Sequence, residues 1–182
     1  MKKLLYTLLA VSLIFSTCKK EDDTPTNNNN NNNSALAIGD THQGGIVFYL
    51  DGNGGGLIAA PSDQASAAEW GCYGSISGAD GSVIGTGNQN TIDILAGCSQ
   101  SGTAADICAN LTLGGYNDWF LPSYDELNEM FSNKAAIGGF ANYNYWSSTE
   151  GGSYTAWRQG FFNGGQNLAK GNDGSVRAVR AF

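Results

Sequence analysis

Histidine occurs once in the 182 residues, at His42, and methionine only twice. Lysine and arginine together number nine against sixteen acids, for a formal charge of -7. A protein that grips nucleic acid or a sulfated chain by releasing counterions needs the opposite balance, so nucleic acid is not an expected partner. No CxxC pair or histidine-containing cluster supports a zinc site. GxSxG, P-loop and HExxH patterns are missing as well, and with them the common hydrolase, nucleotide and metalloprotease constellations. No catalytic residue, metal or cofactor is therefore expected. The longest apolar run, Leu4 to Phe15, is about a dozen residues, too short to cross a hydrocarbon layer of roughly 30 Å as a helix.

What is present begins with that run. Lys2 and Lys3 precede it, and Phe15-Ser16-Thr17-Cys18 ends it with small residues before a cysteine, a loose lipobox. Residues 1–17 are thus expected to be a lipoprotein signal peptide, with Cys18 the lipidated first residue of the mature chain. Behind it comes the charged run Lys19 to Asp23, then Thr24-Pro25-Thr26 and seven asparagines, Asn27 to Asn33. The run from Lys19 to Asn33 has no apolar residue to bury and stays solvated, so residues 18–37 read as a flexible tether. The run after Cys18 resembles export signals of outer-membrane surface lipoproteins. The expected location is the outer membrane, with the cell surface as the expected face and the lipid as the only membrane contact.

Residues 38–182 have the length of one domain. "GGIVFYLDGNGGGLIAAP" reads as a hairpin: a strand from Ile46 to Leu50, a glycine-rich turn, and a return strand from Leu57 to Ala60. Asp51 and Asn53 belong to that turn, because no glutamate closes a calcium loop behind them. Two short helices follow, with Asn90 and Thr103 as their expected caps. Ile94, Leu95 and Cys98 are placed on one face of the first. Three cysteines remain besides Cys18, and Cys98 with Cys108 is the expected disulfide across the two helices.

"GGYNDWFLPSYDELNEMF" concentrates acids around an indole. Ser123 and Glu126 form a capping box, and Asp125 and Glu126 favour the positive end of the helix dipole. Tyr124, Leu127, Met130 and Phe131 recur at helical spacing, with Lys134 in the last turn and Gly138 as the stop. Helix physics therefore accounts for these carboxylates, and Trp119 reads as core. From Asn142 onward the chain alternates like strands, with turns at Asn163-Gly164-Gly165 and at Gly171 to Gly174. "SVRAVRAF" is expected as one last strand. The class is α+β: an N-terminal hairpin, short helices and C-terminal antiparallel strands, with the first and last strands able to pair.

"DWFLPSYDEL", "YWSSTE", "AWRQGFFNGG" and "VRAVRAF", in that order, resemble the C-terminal domain family of the Legionella collagen-like adhesin. The resemblance covers about Gly39 to Phe182 and is most specific from Gly114 on. It implies a C-type-lectin-like fold, also used by formylglycine-generating enzymes, and a role in extracellular recognition or adhesion. The metal-binding triplet of calcium-dependent lectins is absent from this sequence, so a metal is not carried over. The expected partner is a glycan or protein ligand outside the cell. An enzyme relative on the same fold and a structural envelope protein are the alternatives. Small, amide-rich loops at Glu150 to Tyr154 and Asn163 to Asn172 suit adaptable contacts, with Tyr154, Asn163, Gln166 and Asn167 the candidate ligand residues. Trp119, Trp146 and Trp157 are expected to pack.

Overall fold

The computed structural model describes residues 35–182. The signal segment, Cys18 and the tether up to residue 34 lie outside the described residues. Two sheets and four short helices make a mixed α+β domain. The first sheet has the order β1 (Thr41–His42), β2 (Gly45–Leu50), β3 (Gly56–Ala59), β9 (Val179–Ala181). β2 and β3 are the hairpin that the sequence predicts, and Asp51 builds its turn by accepting from the amides of Asn53 and Gly55 at 2.7 and 3.0 Å. Leu57 pairs with Ala181, so the end of the chain closes on the hairpin's return strand.

The second sheet runs β4 (Ala65–Glu69), β8 (Asp173–Val176), β5 (Asn144–Gly152), β6 (Thr155–Gly160), β7 (Gln166–Ala169). β6 and β7 pair antiparallel as expected, with β5 antiparallel on the other side of β6, but the last strand expected to follow β7 does not join it. At β8 the chain crosses to the other flank of β5 and pairs there in parallel, Tyr145 beside Ser175. β4, which the sequence did not reveal, covers its outer side. "SVRAVRAF" is accordingly not one strand but two, split between the sheets at Arg177 and Ala178. The buried Arg177 guanidinium makes the break. It donates to the carbonyls of Ala60 (2.9 Å) and Gly139 (2.6 Å) and pairs with Asp63. Gly174 permits β8 to run under Trp146, since a Cβ there would lie 2.7 Å from the indole nitrogen.

The helices are α1 (Gly87–Gly97), α2 (Ala104–Ala109), α3 (Tyr124–Ser132) and α4 (Lys134–Ile137). Thr103 caps α2 and the Ser123–Glu126 capping box starts α3, both as the sequence predicts. Asn90 does not cap α1, which begins three residues earlier. It is buried in the first turn, bonding to both backbone groups of Gly81 and to Ser148. Leu95 faces solvent rather than the core. The helix expected to run on to Gly138 is interrupted at Asn133, whose amide donates to the Phe48 carbonyl at 3.0 Å. Gly138 stops α4 with φ of 73°.

Between the sheets and helices lie two apolar clusters. Val47, Ile58, Trp70, Ile94, Trp119, Leu121 and Trp146 form one. Phe48, Phe120, Leu127, Met130, Tyr145 and Phe161 form the other. Each fully buried large side chain contributes about 1.5–3 kcal/mol. The buried indoles also satisfy their N–H groups: Trp70 on Ser147, Trp119 on Leu113, Trp146 on Ala68.

The disulfide joins Cys72 to Cys98, with Cα atoms 5.6 Å apart, and corrects the expected Cys98–Cys108 pairing. Cys108 lies on the core face of α2 with no exposed surface. Cys98 leaves α1 in extended conformation and meets the Gly71–Cys72 loop instead. Burial pushes the Cys108 thiol far above its ordinary range, so it stays protonated.

Candidate recognition face

The four ligand residues expected from sequence do not share one surface. Tyr154, 59 % exposed in the β5–β6 turn, meets Tyr73 edge-on at 5.1 Å. Asn163 lies in the turn at the other end of β6 and accepts from the Gly165 amide at 2.9 Å. The six-residue strand between them spans about 20 Å. Gln166 and Asn167 are neighbours on β7 and therefore point to opposite faces. Asn167 pairs with Arg158 and accepts from its Nε at 2.6 Å on the Trp146 side. Gln166 lies opposite Gln159 on the side of Trp157 and accepts from the Tyr124 hydroxyl. Glu150, at the head of one candidate loop, is buried and ion-paired with Lys170 at 2.7 Å. Its other carboxylate oxygen accepts from the amides of Ser77 and Gly78, fastening that loop to the sheet.

Gln166 borders the face that carries the site. Trp157, expected to be core, is only half-buried. It stands opposite Leu168, which is 45 % exposed on the edge strand β7. Tyr124, the first residue of α3, meets it edge to face with centroids 5.0 Å apart at 72°. Ser82, Tyr124, Asp125 and Trp157 line an open pocket of about 290 Å³, near the lower end of the roughly 300–1,000 Å³ usual for small-molecule sites.

The backbone around this pocket is held from several directions. The Asp125 amide donates to Ser82 O at 2.9 Å. Ser123 Oγ donates to Val83 O at 3.0 Å, and Thr149 Oγ1 donates to Gly81 O at 2.8 Å. Beneath them sits Glu126, with no exposed surface. It accepts from the amides of Gly85 at 2.8 Å and Ser123 at 2.7 Å. Burial pushes its carboxyl above the ordinary range, against the pull of those donors. Glu126 thus does more than cap a helix: it ties the loop before α1 to the start of α3. Nothing in the local pattern distinguishes that role from a plain capping box.

Around the pocket the polar groups are unspent. The Ser82 hydroxyl, the Asp125 carboxylate, the Gln166 side-chain amino group and the Trp157 N–H have no partner among the described residues. The cations of the described residues are, by contrast, all committed. Between residues 35 and 182 there are five lysines and arginines against thirteen acids. Lys170, Arg177 and Arg180 are ion-paired with Glu150, Asp63 and Asp118. Lys134 donates to Phe161 O at 2.8 Å over the Phe131 ring, and Arg158 is held by Asn167 over Trp146. The hydrogen bond from Arg180 holds the Asp118 carboxyl below its ordinary range. Asp118 is therefore the partner of an arginine rather than a waiting metal ligand. No cluster of three metal-ligating side chains occurs among the described residues. His42 lies in β1, edge-on to Phe182 at 4.6 Å and far in sequence from the pocket residues.

Fold and face together define a class: a mixed α+β domain, tied by a disulfide and buried ion pairs, that leaves aromatic rings and free polar groups at the surface of a sheet. Residues 62–180 match the Lcl C-terminal domain, that of the Legionella collagen-like protein, and the chain belongs to that family. The domain is typical of adhesin-like surface proteins. No curated protein matches the chain.

Proposed function

We propose that this chain is a lipid-anchored surface protein whose C-terminal domain recognises a glycan or protein ligand without catalysis, as part of adhesion. The single observation that carries the reading is the pocket beside Trp157. Unspent hydrogen-bonding groups converge there on two aromatic rings, over a backbone already held rigid. Such preorganisation lowers the entropic cost of binding. Family membership supports the adhesive role. The C-type-lectin-like assignment belongs to the same proposal. It is supported by the closure of the chain end on the N-terminal hairpin and by the irregular, disulfide-tied segments between the two sheets.

The pocket offers a hydroxyl and a carboxylate, with no histidine or lysine beside them, which favours binding over acid–base chemistry. Anchored copies at high surface density would convert modest single-site affinity into firm attachment. Lipidation of Cys18, with the outer membrane as the site of anchoring, completes the proposal and rests on the signal segment and tether.

The test uses cells carrying the full chain, cells lacking it, and cells carrying Cys18→Ser. Attachment to surfaces coated with glycoproteins should require the chain. The Cys18→Ser protein should leave the detergent phase and restore no attachment. Equal attachment by cells with and without the chain would refute the adhesive reading. A Cys18→Ser protein that remains in the detergent phase would refute the anchor.

A further inference from the structure

We infer that the pocket of Ser82, Tyr124, Asp125 and Trp157 is a subsite for one ring of a neutral glycan, read without a metal ion, and that sulfated or phosphorylated chains are rejected. The inference rests on the recognition reading above and narrows it to a ligand class and a site.

The chemistry of the pocket selects a sugar. The C–H-rich face of a pyranose is apolar and stacks on aromatic rings, while its rim carries hydroxyls that both donate and accept. Trp157 and Tyr124 supply the rings, 5.0 Å apart. The Asp125 carboxylate can accept from two adjacent hydroxyls, and the Trp157 N–H and Gln166 amide can donate to others. Ser82 does either. The Tyr124 hydroxyl is occupied in turning Gln166, which leaves the Gln166 amino group as the free end.

The charge pattern selects a neutral one. A sulfate or phosphate would meet Asp125, the only charged side chain of the pocket lining. The three paired cations, Lys170, Arg177 and Arg180, are all buried. Recruiting Lys170 would strand Glu150 in the interior. The two other cations of the described residues, Lys134 and Arg158, are already bonded. Among the described residues every cation is thus committed, which disfavours a polyanion on this domain.

The aromatic ridge of Tyr73 and Tyr154 is the control. Tyr73 borders a separate pocket with Glu69, Lys170 and Asp173. There Lys170 is already paired, and Glu69 accepts from Gln100. Tyr154 lines neither that pocket nor the proposed subsite, so Tyr154→Ala removes a ring outside both.

The test is titration calorimetry on the full chain in detergent, with EDTA present. The probes are methyl glycosides and short oligosaccharides of mannose, galactose, glucose and N-acetylglucosamine, with heparin as the sulfated comparator. At least one neutral probe should bind with an affinity indifferent to salt, and heparin should not bind. Trp157→Ala and Asp125→Asn should each weaken binding tenfold or more, and Tyr154→Ala less than twofold. Trp157→Phe, which keeps a ring and removes only the N–H, covers the case in which Trp157→Ala unfolds; it should weaken binding a few-fold. Heparin binding would overturn the inference, as would neutral-sugar binding that Asp125→Asn and Trp157→Phe leave intact. Absence of binding to every neutral probe, with attachment of chain-bearing cells retained, overturns the subsite and leaves the recognition reading standing. Loss of both overturns both.

Discussion

Replacing Cys72 and Cys98 together by serine opens the one cross-link between the end of α1 and the loop before Tyr73. The two cysteines are 26 residues apart. The chain-entropy relation assigns a loop of that length about 3.5 kcal/mol at 25 °C. For a domain of this size, that loss lowers the melting temperature by about 7–14 °C. A bridge between Cys98 and Cys108 would close a loop of only about ten residues and be worth about 2.7 kcal/mol on the same relation. Energy alone separates the two pairings poorly, so the assay needs a second arm. Urea unfolding of the oxidised chain, the reduced chain and the double serine variant measures the magnitude. Alkylation of the native protein followed by peptide mapping identifies the partners. Cys108 is buried and protonated, so it should resist alkylation until the domain unfolds. It should then react even without reductant. A disulfide-linked peptide containing Cys108 would refute the pairing. A destabilisation under about 1 kcal/mol would refute the loop-closure reasoning.

Ser123→Ala should cost about 2 kcal/mol by urea midpoint, the upper end of the range for a lost N-cap. Ser123 is fully buried, and its hydroxyl also donates to Val83 O; a loss below about 0.5 kcal/mol would contradict that double role. Lys170→Met should cost about 3–5 kcal/mol by stranding the buried Glu150 carboxylate, and adding Glu150→Gln should recover much of the loss. Burial pushes the Glu150 carboxyl up, but the hydrogen bonds from Lys170 and Ser77 outweigh it and leave the group below its ordinary range. Its stabilising contribution is therefore complete above the unfolded value of 4.5 and is lost as pH falls through the lower folded value. Glu126 has the opposite sign: its raised carboxyl favours the fold below the unfolded value of 4.5, and that contribution is lost as pH rises through the folded value. Melting curves between acidic and neutral pH should show a shallower acid limb in Glu150→Gln than in the unaltered chain; parallel limbs would contradict the pairing.

The elements legible in the sequence are those whose causes lie within a few residues. The capping box at Ser123 and Glu126, the Thr103 cap, the Asp51 turn and the β6–β7 turn at Asn163 each bond a side chain to backbone two to four residues away. Such geometry is decided by local backbone conformation. The hairpin and the β6–β7 pair follow from alternation and turn chemistry, and Trp119 and Trp146 are buried as expected. Family motifs spread along the chain carried the adhesin-type class, since they are sequence by nature.

Tertiary structure decided what depends on distant partners. Arg177 breaks the last strand by bonding a carbonyl 117 residues away, and no local signal names that carbonyl. Cys98 has cysteines on both sides of it in sequence, and only the direction in which its side chain leaves α1 selects Cys72. Asn90 looks like a cap until Gly81 and Ser148 claim it. Tyr154, Asn163, Gln166 and Asn167 come from one stretch of polar sequence, yet strand alternation and the length of β6 scatter them over two faces and two ends. Ser82 and Asp125, unremarkable in the sequence as ligand residues, meet Trp157 because α3 and the loop before α1 converge on the face of β6. A binding face is assembled from side chains left over after the core and backbone have taken their partners, and which are left over is known only once every long-range contact has formed.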